Sequence, residues 1–216
     1  MRIKWLGHSA FLIEGSKKII IDPFITGNPK APVKAEDIKA DIVLVTHDHG
    51  DHLGDAYDIT KKNNAVLVSI FEITQDAASK GVEKTEGGNI GGTIEIDGVK
   101  IHFTAAAHSS EGLGDPVGFI IEMDGKTIYH AGDTGLFSDM ALYGEFFNID
   151  VALLPIGDRF TMGPKSAAKA AKMLKAKKVI PMHWGTFPLL PGDPAEFAKL
   201  AECEVVILQP GESVEI

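Results

Sequence analysis

The segment Thr46-His47-Asp48-His49-Gly50-Asp51-His52 follows the apolar run Ile42-Val43-Leu44-Val45 and places three imidazoles and two carboxylates within seven residues. Polar groups gathered at a strand end cost stability unless they are hydrogen-bonded or bind an ion. A chain that carries this segment must therefore fold around it. Imidazole and carboxylate are the usual nitrogen and oxygen ligands of a divalent ion such as zinc. A strand whose side chains alternate faces sends His47 and His49 to the same side, leaving Asp51 and His52 free to turn toward a second ion.

At 216 residues the chain is long enough to bury a continuous core without staples, and we read it as one domain, 1–216. Hydrophobic residues at 44% and charged residues at 24% are globular proportions, suggesting neither disorder nor a membrane class. Arg2 and Lys4 precede only the short apolar stretch Ala10-Phe11-Leu12-Ile13, too short for a signal peptide, and no run reaches the length of a membrane span. A cytoplasmic location is expected. Cys203 is the single cysteine, which excludes an internal disulfide and a thiolate metal cage. The formal charge of -9 argues against a phosphate-tracking surface, so a nucleic-acid partner is disfavoured. The expected partner is a small, anionic molecule, because bound ions reverse the sign of the field inside one cleft. A homo-oligomer is compatible with this composition.

Along the chain, strand signals at Ile3 to Leu6, Phe11 to Glu14 and Lys18 to Asp22, with a turn at Glu14-Gly15-Ser16-Lys17, predict antiparallel sheet. A short helix is expected at Ala35 to Lys39 and a buried strand at Asp41 to Thr46. A helix at Asp55 to Lys62, a strand at Ala65 to Ser69 and a helix at Phe71 to Lys80 follow. Asp97-Gly98 and Asp124-Gly125 each separate β-rich segments and predict hairpins, 93–96 with 99–104 and 117–123 with 126–130. The C-terminal part alternates again: strand Val151 to Pro155, a helix opened by Pro164 and running through Ser166 to Ala176, strand Val179 to Met182, helix Pro194 to Ala201 and strand Val205 to Leu208. These elements fit an α/β fold, a four-layer αβ/βα sandwich of two mixed β-sheets flanked by helices.

Three more candidate ligands each follow a hydrophobic strand: His108 after 99–107, Asp133 after 127–132, and His183 after Val179-Ile180-Pro181-Met182. Strand ends on one edge of an α/β structure are where ligands gather. The pattern His-x-His-x-Asp-His followed by a His, an Asp and a His resembles the metallo-β-lactamase superfamily over nearly the whole chain. That resemblance implies one ion held by His47, His49 and His108, a second by Asp51, His52 and His183, and Asp133 bridging the two. Gly7-His8-Ser9-Ala10-Phe11, His130-Ala131-Gly132-Asp133-Thr134-Gly135 and Gly157-Asp158-Arg159-Phe160-Thr161-Met162-Gly163 are similar to a branch of metal-dependent hydrolases related to L-ascorbate 6-phosphate lactonase. Arg159 stands where that branch more often has an amide.

The implied activity is a metal-dependent hydrolase that turns a dinuclear metal-bound hydroxide on a small ester, lactone or phosphodiester. Formal counting of two ions, Asp51, Asp133 and the hydroxide leaves the site at about +1. Asp51 is expected to orient the nucleophile and shuttle its proton. His8 is expected to donate a proton to the leaving group or to bind an anionic substituent, and Arg159 to clamp a carboxylate or phosphate. Asp22 is a candidate acceptor behind a ligand imidazole, and His130 is expected to shape the strand behind Asp133. His102 and Asp48 are read as structural or exposed. The ligand set favours zinc, with manganese, iron and nickel compatible. Other readings are a phosphodiesterase or ribonuclease-type hydrolase, di-iron redox chemistry as in flavodiiron relatives, where His49 occupies a Glu position, and a non-catalytic metal-binding or sensory module.

Overall fold

The computed structural model describes residues 1–216. Two seven-stranded mixed sheets pack face to face with helices outside both. In chain order the first sheet uses β1 (Arg2–Trp5), β2 (Phe11–Glu14), β3 (Lys18–Ile21), β4 (Ile42–Leu44), β5 (Val66–Ile70) and β6 (Thr85–Gly88). It is closed on its β1 edge by the last strand, β14 (Ser213–Glu215). The second sheet uses β7 (Thr93–Ile96), β8 (Val99–Ala105), β9 (Val117–Met123), β10 (Lys126–His130), β11 (Val151–Pro155), β12 (Lys178–Met182) and the short β13 (Glu204–Val205). Strands β3 to β6 run parallel to one another, as do β10 to β13, and antiparallel pairs build the rest.

Side-chain alternation explains why helices cover the second sheet. Phe119 and Ile121 of β9, Ile128 of β10, Val151 and Leu153 of β11, and Ile180 of β12 join Phe11, Ile13 and Ile19 of the first sheet in the core between the sheets. Their sequence neighbours Ile120, Tyr129, Ala152, Leu154 and Val179 face the other way into a separate core. That core is closed by α4 (Met140–Phe146), α5 (Pro164–Met173) and α6 (Pro194–Leu200). In α5, Pro164 opens the first turn, and Ala167, Ala170 and Ala171 form the buried stripe. The first sheet is covered by α2 (Ala56–Asn63) and α3 (Phe71–Ser79).

Several boundaries differ from the sequence reading. The segment expected to be helical at Ala35 to Lys39 is a single 3-10 turn, Ala35–Asp37. The helix expected to reach Ala176 stops at Met173, and Lys175 at φ +50° takes the left-handed turn that ends it. Of the expected strand 205–208 only Val205 pairs with β12, together with Glu204 before it. Strand β4 ends at Leu44, so His47 and His49 are not alternating strand residues. They lie in a loop that a short helix, α1 (Gly50–Leu53), terminates.

Because β3 and β4 are parallel, Asp22 and the 46–52 segment emerge on the same edge. The segments after β8, β10 and β12 carry His108, Asp133 and His183 to the same place. Hydrogen bonds join the two halves there: Val117 N–H to Thr46 O (3.0 Å) and His183 N–H to His8 O (3.0 Å). The His130 ring also donates from Nε2 to Ser9 O (3.0 Å).

Candidate metal centre

Asp22 organises the first cluster. Its Oδ1 accepts from the Thr46 backbone N–H (2.8 Å) and its Oδ2 from the Thr46 hydroxyl (2.7 Å), while His52 Nδ1 lies 2.8 Å from Oδ2. The Thr46 hydroxyl has spent its proton on Asp22, so His47 Nδ1, 2.9 Å away, donates to it. Both imidazoles are thereby held with Nε2 turned away from these acceptors, the arrangement that orients a metal-ligating histidine. Asp22 is fully buried at φ +44°. A left-handed residue persists where its surroundings over-determine it.

The donors fall into groups whose ligand atoms lie within 4.8 Å of one another: His47, His49 and His108; Asp51, His52 and His183 together with His8; and His47, His52 and Asp133. The seven residues assigned as ligands from the sequence thus occupy one site. Asp133 stands at its centre, with Oδ2 2.9 Å from His183 Nε2, 3.3 Å from His52 Nε2 and 3.7 Å from His108 Nε2. His47 Nε2 and His49 Nδ1 approach to 2.9 Å.

The chemistry of these donors fits bound cations. Asp133 Oδ1 and His52 Nε2 are buried with no hydrogen-bond partner, and both belong to the donor cluster. Orphaned polar atoms of that kind are expensive unless an ion or water takes them. Burial pushes the Asp133 carboxyl up, but His183 and His52 overcome it and hold it well below the usual carboxylate range. Burial likewise disfavours a charged His52, yet Asp133 and Asp22 on either side raise its pKa well above the ordinary value. The field between these carboxylates demands positive charge, and a divalent ion supplies it in place of a proton. His47 is driven down to about 2 by burial and by His52, and so stays a neutral donor.

The loop bearing His108 is fastened from behind. Ala107 N–H donates to Thr134 Oγ1 (2.9 Å), and Asp48 accepts from the backbone N–H groups of Glu111 (2.7 Å) and Leu113 (2.8 Å). Asp48 therefore ties the first cluster to the His108 loop. His130 accepts from Gly132 N–H at Nδ1 and donates to Ser9, so it braces the turn before Asp133 from outside the ligand set. His102 pairs with Thr93 and Glu122 on the face of β8.

Two residues expected at the substrate sit elsewhere. His8 is fully buried, with Nδ1 3.1 Å from Thr186 Oγ1 and Nε2 3.2 Å from Asp51 Oδ2, and it does not line the cleft. Burial outweighs the Asp51 hydrogen bond and lowers its pKa to about 4, leaving it neutral. Both ring nitrogens are engaged, and Nε2 contacts Asp51, which does line the cleft. The turn at Gly7 (φ +91°) and His8 (φ +55°), tied to Thr186 and to the His183 N–H, folds the ring inward. Arg159 is exposed outside the cleft, its guanidinium carbon 5.6 Å from the Phe160 ring centre, and the cleft is lined by Phe160 instead.

The cleft over the donors has a volume of about 310 Å³. His49, Asp51, His108, Asp133 and His183 form its floor, and Phe160, Phe187, Leu189 and Leu190 its walls. These apolar residues and Thr186 are functional candidates that the sequence reading did not single out. The available signal was apolar density in 187–190, a segment with neither helical nor strand periodicity.

A family model described as a beta-lactamase superfamily domain matches residues 2–183, spanning every donor of the centre. The chain belongs to the metallo-β-lactamase superfamily. Within that superfamily it is 56% identical over 229 residues to a UPF0173 metal-dependent hydrolase of Pelotomaculum thermopropionicum and 54% identical over 224 residues to one of Thermococcus kodakarensis. Each alignment covers all of both chains. Igni18, a metallo hydrolase of Ignicoccus hospitalis, has a structure that superposes with a TM-score of 0.92 at 44% identity, covering 99% of this chain and 97% of that one. The chain is thus a member of a metal-dependent hydrolase family whose fold and length it shares.

Two expectations arise from the supporting residues. Asp22→Asn removes one charged acceptor behind His52, and metal affinity should fall by about 10- to 100-fold, read by competition with a chromogenic chelator; unchanged affinity would remove Asp22 from the ligand support. His8→Gln should lower kcat by about tenfold or more while KM and ion content hold, because it loosens Asp51 without touching substrate. A rise in KM with kcat unchanged would return His8 to substrate binding.

Proposed function

We propose that this protein hydrolyses a small ester, lactone or phosphodiester with the help of two divalent ions, zinc being favoured. The observation that carries this reading is Asp133, whose Oδ2 faces His52, His183 and His108 while its buried Oδ1 has no partner. In this reading His47, His49 and His108 hold one ion, Asp51, His52 and His183 the other, and Asp133 serves both. Bound divalent ions supply Lewis acidity and bring the pKa of water from 15.7 to ~7.

The chain's own side chains do the rest. Asp51 lines the cleft with Oδ2 tethered by His8, so its carboxylate is fixed where a proton must be handled. Asp22 and Thr46 fix the tautomers of His52 and His47. Phe160, Phe187, Leu189 and Leu190 restrict water at the cleft mouth, which strengthens every electrostatic interaction inside. The net charge of -9 supports a small-molecule substrate over a nucleic acid.

The test is hydrolysis of bis-p-nitrophenyl phosphate and a lactone panel by protein loaded separately with zinc, manganese, iron and nickel. Turnover that depends on the ion and is lost on chelation is expected. Full ion occupancy with no turnover of any substrate would contradict the proposal and favour a metal-binding module without catalysis.

A further inference from the structure

The walls of the cleft carry information that its floor does not. No lysine or arginine lines it, and Arg159, the cation near its rim, lies against Phe160 outside. Phe160 and Leu189 are 53% and 51% exposed, so two large apolar side chains face solvent at the mouth with no packing role that requires it.

They are not loose. The Phe160 turn is closed by Asp158 N–H to Met162 O (3.0 Å) and Met162 N–H to Thr134 O (3.0 Å), and the 185–190 turn by Leu190 N–H to Phe187 O (3.0 Å). Next to them the backbone at Gly192 packs so closely on Ile156 that a Cβ there would stand 1.7 Å from Ile156 O. Two chain segments thus present one preformed apolar surface directly over the donors, the design of a small-molecule site in which a few polar groups set the chemistry and apolar walls the selection.

Resting on the hydrolase reading above, we infer that the substrate is an ester or lactone whose acyl part carries an uncharged alkyl or aryl group seated against Phe160, Phe187, Leu189 and Leu190. Water adds across the acyl C–O bond: a C–OH bond forms, the C–O bond to the leaving oxygen breaks, and that oxygen takes the proton. An ester gives an acid and an alcohol, and a lactone gives the open hydroxy acid. A negative charge carried by the part seated against the walls finds no counter-ion there, so carboxylate-tailed esters are disfavoured.

The experiment compares p-nitrophenyl acetate, butyrate and hexanoate with the mono-p-nitrophenyl ester of adipate, on the full-length, ion-loaded protein. A buried methylene is worth about fourfold. With half-exposed walls, kcat/KM should rise at least about tenfold from acetate to hexanoate and collapse for the carboxylate-tailed ester. The double variant Phe160→Ala, Leu189→Ala should flatten the series, Leu189→Arg should restore the carboxylate-tailed ester, and Arg159→Ala should leave the ranking unchanged.

Hydrolysis indifferent to chain length, or better on the adipate ester, would overturn the inference and leave the hydrolase reading intact. Turnover of bis-p-nitrophenyl phosphate with none of the esters would do the same. If nothing is hydrolysed, the hydrolase reading falls, and calorimetric titration with acetohydroxamate and hexanohydroxamate decides the apolar wall. Tighter binding of the longer compound supports it, and equal affinity overturns it.

Discussion

Asp133→Asn is expected to lower hydrolysis at least about a thousandfold and to reduce the ion content from the two per chain proposed above to one or fewer. The size follows from what the carboxylate touches: Oδ2 lies within 2.9 to 3.7 Å of three imidazoles that belong to both donor groups. Asparagine has nearly the same shape, so packing is preserved while the negative charge disappears. Without it, His52 loses one of the carboxylates that face it, and the field that attracts cations weakens. Loss of charge stabilisation at a reacting centre typically costs about 10²–10³ in turnover, and loss of a shared ligand adds to this. Elemental analysis of the purified variant, alongside steady-state rates, reads both effects; two retained ions with near-native turnover would remove Asp133 from the centre.

Removing the ions should cost a great deal of stability. Ions bind the folded chain and not the unfolded one, so a thousandfold excess over Kd is worth about 4 kcal/mol. For a chain of this size about 2–4 °C of Tm accompanies each kcal/mol, giving a drop of about 8–16 °C on chelation. The gap should narrow with acidity. Ligand imidazoles must be neutral to hold an ion, and His52, raised well above its ordinary pKa in the ion-free chain, keeps its proton up to higher pH than a free histidine. That proton stabilises the ion-free fold fully below pH ~6.5 and is lost as pH rises through the raised pKa. Chelated protein therefore loses this contribution on going alkaline, whereas ion-loaded protein gains. Calorimetric scans of both forms across pH 5–9 measure the gap, and curves that stay parallel would contradict the assignment of His52 as a ligand.

Much of the fold was legible because alternation and turn chemistry are local. The hairpins at Asp97-Gly98 and Asp124-Gly125 and the Pro164 helix start appear where their residues predict. Elements that escaped notice depend on distant neighbours. Strand β6 is Thr-Glu-Gly-Gly, poor in β-forming residues, and Gly88 is required there because a Cβ would lie 2.4 Å from the Phe103 ring. Helix α4 contains Gly144, whose absent side chain lets the helix approach Met173 O, where a Cβ would come to 2.4 Å. Neither constraint is written in the segment itself.

The convergence of the candidate donors on one site was legible for a related reason. Three histidines in six positions are a local signal, and His108, Asp133 and His183 each follow an apolar strand. What sequence could not reveal was which way loops turn. His8 is drawn inward by Thr186 and by the His183 N–H on its carbonyl, and its φ of +55° is fixed by these long-range bonds. Arg159 is turned out because the Met162–Thr134 hydrogen bond presents Phe160 to the cleft instead. The apolar walls arise where two loops meet, and only tertiary structure joins them.

One cleft is proposed to hold two ions within a single continuous donor set. Anomalous scattering from a crystal of the protein loaded with zinc tests it most directly. Two peaks are predicted in each chain, one bounded by His47, His49 and His108 and the other by Asp51, His52 and His183, with Asp133 reaching both. A single peak at full occupancy, or ions bound away from Asp133, would contradict the account.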